Sequence, residues 1–289
     1  MTPAFPLDEY ATYARLRAEG FRRVDIDACL RSGSLVRVRR GRYVAGGLDA
    51  DVERAARLGG RLDCVSLLRR YGVFALEREV LHIQLTVGDS RLPARDEGVV
   101  GHWRVSDVPR ERLCVGVIEA LTQACICQPP RAAIATLDSA WNRGLVDEAG
   151  IAEIFRRLPR RMRRLRGLID RRAESGPETY VRLMLRALGC AIEPQVRIGG
   201  VGRVDFVVDG WLIVECDSRE FHSSWEVQRE DRRRDMAAAA IGYATLRLLA
   251  EDILYRPDVV IAALRGLLAA RNSSRTGPAA PPRRSAGRS

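Results

Sequence analysis

Apolar positions change period along the chain, and each change marks an element. Residues 7–18 and 24–31 carry helical spacing, stopped by Gly20 and by Ser32-Gly33. Residues 35–44 then alternate as a strand, an Arg-Gly turn and a returning strand, giving a helix, helix, β-wing unit over residues 1–48. In residues 49–172 the spacing predicts helices at 51–58 and 62–71, and a strand at 80–87. A polar loop over 88–98 leads to a second strand at 99–105, and further helices follow at 113–126, 131–141, 149–157 and 159–171. This middle region reads as mostly helical, a bundle. From residue 174 the order is a helix to Leu188, strands at 192–198, 203–208 and 211–217, a helix over 226–241, a strand at 243–249 and a helix over 257–270. Residues 173–270 therefore form an αβββαβα domain with a mixed sheet. Residues 271–289, rich in Arg, Pro, Gly and Ser, read as a disordered basic tail. The fold class is α/β in this last domain, preceded by the winged helix-turn-helix layout and the middle region.

Residues 203–222, RVDFVVDGWLIVECDSREFH, break the rule that buried strands are apolar. Period-two alternation puts Glu215 and Asp217 on one side of their strand. Asp209-Gly210 signals a hairpin. A two-residue turn would face Asp205 away from Glu215, whereas an odd-length loop sets the two opposite each other, and the odd-length loop is the expectation. Carboxylates about 4 Å apart repel by roughly 4 kcal/mol at an effective dielectric near 20, so the group calls for a cation or raised pKa values. Mg²⁺, which binds carboxylate oxygens and keeps several waters, is the simplest such cation.

The same residues resemble the restriction-endonuclease-like, PD-(D/E)XK superfamily, most of all its very-short-patch-repair (Vsr) endonuclease branch. The resemblance rests on Glu178, on Val204-Asp205-Phe206, on Val214-Glu215-Cys216-Asp217, on His222 and on the Asp231–Asp235 run, Asp-Arg-Arg-Arg-Asp. It implies a nuclease in which Asp205, Glu215 and Asp217 hold Mg²⁺ (or Mn²⁺). Glu178 would complete the shell, His222 would relay a proton or donate to the phosphate, and Arg234 and Arg247 would support phosphate or carboxylates. Two departures stand out: Ser218 replaces the usual Gly, and the chain has no lysine, so all 48 of its cationic side chains are arginines and none can act as a base. The 1–48 unit resembles the amino-terminal domain of AbiEi-type antitoxins through its Leu-Val-x-x-x-Arg-Gly-x-Tyr wing. There Arg37, Arg39, Arg40 and Arg42 on the wing, and Arg22 and Arg23 opening the second helix, are candidates to contact DNA.

Composition supports a polyanionic partner. The net charge is +11 over 289 residues, and seven of the eleven positions from Arg156 to Arg166 are arginine. No apolar run reaches membrane-span length and the first ten residues lack a signal-peptide pattern, so a soluble, cytoplasmic protein is expected. Seven scattered cysteines without a Cys-x-x-Cys pair, and His82 and His102, each isolated where metal sites need clustered donors, point away from a zinc site and towards reduced cysteines and structural histidines. The leading expectation is a Mg²⁺-dependent DNA endonuclease targeted by a winged helix. The alternative is a DNA-binding regulator or antitoxin whose nuclease-like domain does not cut. The antitoxin resemblance implies a cognate toxin as candidate partner, and a homodimer is compatible with either reading.

Overall fold

Asp63, with no exposed surface, caps a helix and accepts from one arm of Arg104 through both of its oxygens, and the elements around this pair build much of the first of two compact units, residues 1–179 and 180–289. The computed structural model describes residues 8–76, 79–217 and 225–275.

The first unit opens with β1 (Ala11–Thr12), α1 (Tyr13–Ala18), α2 (Arg23–Ser32), β2 (Leu35–Arg39) and β3 (Arg42–Ala45), the strands lying in the order β1-β3-β2. The first helix is shorter than its apolar spacing suggests, because residues 11–12 pair with β3 and the Thr12 hydroxyl caps the helix by accepting from Arg15 N. Its end at Gly20 and the next helix's end at Gly33 are as expected; both glycines have positive φ. Leu16, Phe21, Ile26, Leu35 and Tyr43 close a small core between helices and sheet.

The chain continues through α3 (Ala50–Arg57), β4 (Arg61–Leu62), α4 (Cys64–Arg70), β5 (Leu81–Leu85), β6 (Val99–Trp103), α5 (Val117–Cys127), α6 (Pro130–Asn142) and α7 (Glu148–Arg157). Instead of a bundle alone, the helices pack around a three-stranded sheet, order β4-β5-β6, whose central strand is wholly buried. The helix expected from residue 62 starts at Cys64, since Arg61 and Leu62 are spent on β4. The one expected from 113 starts at Val117, since Leu113 and Val115 bond to Leu62 in extended backbone. Arg160–Leu168 forms a 3-10 segment and not an α-helix, in keeping with like charges crowded at helical spacing. Four of the seven arginines in that ridge are already engaged: Arg156 and Arg157 by Glu153, Arg166 by Glu148, and Arg163 by the carbonyls of Leu158 and Arg156.

α8 (Gly176–Ala187) begins in the first unit and runs into the second. There follow β7 (Ile192–Ile198), β8 (Gly202–Val208), β9 (Leu212–Asp217), α9 (Trp225–Ala240), β10 (Ala244–Leu249), α10 (Ala250–Tyr255) and α11 (Pro257–Arg275). The sheet order is β10-β9-β8-β7, antiparallel except for the parallel β9–β10 pair that flanks α9 in sequence. This is the expected mixed α/β order with one added short helix, α10. The last helix also runs on to Arg275, so residues 271–275 are helical and not part of a tail; residues 276–289 lie outside the described residues. No helix among the described residues is long and apolar enough to cross a membrane.

Arg104 also bonds Glu119, buried at the start of α5, at 2.6 Å. Replacing it with Met would strand two buried carboxylates. Arg104→Met should therefore lower unfolding free energy by about 3–5 kcal/mol. Breaking the exposed Arg54–Asp96 pair should cost less than about 1 kcal/mol. Urea denaturation of the two variants checks the contrast.

Candidate functional site

The β8–β9 hairpin decides where the acids go. The ladder pairs Phe206 with Val214, Val207 with Ile213 and Val208 with Leu212. That leaves Asp209-Gly210-Trp211 as a three-residue loop, with positive φ at Asp209 and Gly210. The odd-length loop is thus the one found, and it sets Asp205 opposite Glu215. At this point the backbone ladder ends and the carboxylates take over its donors. Asp205 N donates to Glu215 Oε2 (3.0 Å), and Cys216 N donates to Asp205 Oδ2 (2.8 Å).

Period two puts Asp205, Glu215 and Asp217 on the face of Val207 and Ile213, where Ala237 and Ala238 of α9 pack. One turn earlier, α9 presents Arg234. Its guanidinium donates to Glu215 Oε1 (3.2 Å) and to the carbonyls of Val201 (2.9 Å) and Arg203 (2.6 Å). Arg247 on β10 reaches Asp217 (3.4 Å), Asp231 (3.4 Å) and Asp235 (3.1 Å). Glu215 is buried, and burial pushes its pKa above the ordinary carboxylate value; the Asp205 amide and Arg234 pull against that, while Asp205 adds to it. Burial would depress Arg247, but Asp235, Asp231 and Asp217 hold it above its usual value.

No protein-family model matches the chain, and a search of curated proteins found none similar to it.

The remaining expected site residues are dispersed. Glu178 is buried on the first turn of α8, accepts from Glu174 N (3.0 Å) and belongs to the first unit, whereas the other acids belong to the second. His222 lies outside the described residues. Arg22 is tied to Asp25 across the N-terminus of α2, and Arg23 and Arg37 are exposed. Arg234, expected at DNA, braces Glu215 and two carbonyls of the β7–β8 connection and strand start.

The wing arginines do converge. A bulge between Arg37 and Arg39 turns Arg39, Arg40 and Arg42 towards an open cleft of about 600 Å³ that is also lined by Arg57, Arg61, Arg91 and Arg110. Arg61 is buried, donates to Gln84 Oε1 (3.1 Å), and is pushed below its usual pKa by that burial. Seven guanidinium groups around one cleft, with Asp89 the carboxylate on its wall, repel one another until an anion neutralises them. The sequence reading found the wing half of this cleft and missed the rest, because the other four arginines arrive from three separate segments.

One expectation is overturned. His82 and His102 are not isolated: His82 Nδ1 lies 3.1 Å from His102 Nε2, and Cys127 Sγ lies 3.7 Å from His82 Nδ1. Cys64, His82, His102 and Cys127 place one donor atom each within 4.8 Å of all the others, a group that can hold a metal ion. The acidic trio does not form such a group. The strand register brings the histidines together: β5 and β6 run parallel with Gln84 opposite His102, which puts His82 and His102 on one face, one diagonal apart.

The raised pKa of Glu215 has a sign. A carboxyl whose folded pKa exceeds its unfolded value favours the folded state while protonated, and that contribution is lost as pH rises through the folded value. Wild-type stability should therefore fall between mildly acidic and neutral pH relative to Glu215→Gln, which has no proton to lose there. Thermal melts of both proteins across that range should converge at acidic pH and separate at neutral pH.

Proposed function

We propose that the chain is a Mg²⁺-dependent DNA endonuclease whose second unit carries a restriction-endonuclease-like, Vsr-related core and whose amino-terminal helix, helix, wing segment binds DNA. The observation that carries the reading is Asp205 facing Glu215 where the β8–β9 ladder opens, on the face covered by α9. The donor set suits Mg²⁺: two hard carboxylates are enough for an ion that keeps most of its waters and takes phosphate oxygens. Each carboxylate has about four lone-pair positions, so accepting one amide leaves acceptor capacity for a cation. Asp205 and Glu215 would hold the ion, with Asp217 beside them. When bound, Mg²⁺ supplies Lewis-acid stabilisation of phosphoryl oxygens and acidifies coordinated water.

The chain's own contributions are positional. Arg234 pins one oxygen of Glu215 and so fixes which way the carboxylate presents. Arg247 gathers Asp217, Asp231 and Asp235, keeping three negative charges from spreading the site apart. The arginine cleft beside the wing supplies phosphate neutralisation at a distance in sequence from the acids.

A second reading has its own support. Asp205 and Glu215 each satisfy a backbone amide that the ended ladder leaves over, which is a structural role sufficient to keep them in a protein that binds DNA without cutting it. Incubation with supercoiled plasmid separates the two. The nuclease converts plasmid to nicked or linear form when Mg²⁺ is added and not when it is omitted, and Glu215→Gln lowers the rate by at least about a hundredfold. Intact plasmid with Mg²⁺ present, together with retained DNA binding, establishes the regulator instead.

DNA binding has a separate expected signature. The Arg40→Ala/Arg42→Ala double variant should weaken binding for all sequences alike and reduce the slope of log affinity against log salt by about 2, roughly one per lost phosphate contact. Fluorescence anisotropy at several salt concentrations measures that slope.

A further inference from the structure

We propose that Cys64, His82, His102 and Cys127 bind one Zn²⁺ ion, a structural site that fastens the β4-β5-β6 sheet to the helices around it. The four donors come from four elements: Cys64 opens α4, His82 sits in β5, His102 in β6, and Cys127 ends α5. Two thiols and two imidazoles are the ligand set that closed, four-coordinate zinc takes, and thiolate with imidazole selects zinc over harder divalent ions.

The spacing matches. Bond lengths near 2.05 Å to nitrogen and 2.3 Å to sulfur in a tetrahedron put two nitrogens roughly 3.3 Å apart and a nitrogen and a sulfur roughly 3.6 Å apart. The structure has 3.1 Å between His82 Nδ1 and His102 Nε2, and 3.7 Å between Cys127 Sγ and His82 Nδ1. Two facing imidazole nitrogens can share a single proton, whereas a cation between the four donors satisfies a lone pair on each.

Two features outside the donor set point the same way. Cys64 has φ +52, a left-handed backbone that is strained for a non-glycine residue and that is kept where it aims a side chain. The supporting shell is also built. Asp63, next to Cys64, is bonded by Arg104, two residues after His102, and Arg104 also bonds Glu119 on the helix that ends in Cys127. One ion-pair network thus ties the residue before Cys64 to the strand end past His102 and to the start of the helix that Cys127 ends. Nothing in the site leaves an open position for substrate, so the ion's role is in folding and not in phosphodiester chemistry.

The test is metal analysis of the full-length protein purified under reducing conditions without chelator. Elemental mass spectrometry should find about one zinc per chain, and Cys127→Ser and His102→Gln should each lower occupancy at least about fivefold, while Cys190→Ser and Glu215→Gln leave it unchanged. If the ligand variants fail to fold, cobalt substitution of the wild-type chain reads the site directly, and tetrahedral ligand-field bands with thiolate charge transfer are expected. Wild-type protein that is metal-free as purified and melts at the same temperature with and without added zinc overturns the proposal. So does a six-coordinate cobalt spectrum, or a Cys64–Cys127 disulfide in the isolated chain.

Discussion

The bidentate grip of Arg104 on Asp63, with Glu119 on its other arm, is the constraint on which the first unit depends. Asp63 has no exposed surface and also caps α4 through Cys64 N, so one carboxylate terminates a helix, orients a strand end and fixes a cysteine. A charge that deep is tolerated because each of its oxygens finds a donor; desolvation would otherwise exceed any attraction available to it. The arrangement specifies register more than it adds stability. Sliding β6 by one residue would move Arg104 away from both acids and turn His102 to the other face of the sheet. Core packing around β5 and this polar network therefore select the same alignment, a consistency that leaves few competing folds.

The second unit uses carboxylates differently. Its acids are not neutralised by one partner each but are set where a β-ladder stops, so the backbone amides that lose their strand partners become donors to side chains. The end of regular pairing there creates the need for acceptors. Glu215 pays for its burial with a raised pKa, and Arg234 limits how far that goes. In the proposed nuclease a divalent cation at Asp205 and Glu215 would compete with this proton, so its occupancy would rise with pH. The Arg247 cluster sits one strand further along, and its hold on Asp217 explains why the third acid does not converge with the other two.

What the sequence made legible follows from how local each signal is. The hairpin at Asp209-Gly210 and the alternation on either side belong to some fifteen consecutive residues, and they were sufficient to place Asp205 across from Glu215. The helix stops at Gly20, Gly33, Gly189 and Gly242 are equally local, each a positive-φ position that glycine accepts without strain. By contrast the Cys/His group draws on residues from Cys64 to Cys127, brought together by a parallel strand pair and two helix ends. No spacing rule reports that, because closed metal sites announce themselves in sequence only when two ligands share one turn. The four inner arginines of the cleft were hidden for the same reason. In an arginine-rich chain each looked like ordinary surface charge until the fold brought them together.

The two candidate metal positions differ in a way that keeps their chemistry apart. Oxygen donors beside an opened ladder, partly solvated, suit an exchangeable hard ion that arrives with substrate phosphates. Sulfur and imidazole donors, anchored from four elements and backed by a buried ion pair, suit a soft ion that stays through the life of the fold. If the chain is the proposed nuclease, a chelator strong enough to strip both would abolish cleavage by unfolding the sheet that positions the wing cleft as readily as by emptying the acidic site. Loss of activity in chelator therefore says little about which ion acts on phosphate. Omitting Mg²⁺ while leaving zinc in place isolates the acids, because the zinc ligands include no carboxylate and the acidic site offers no thiolate.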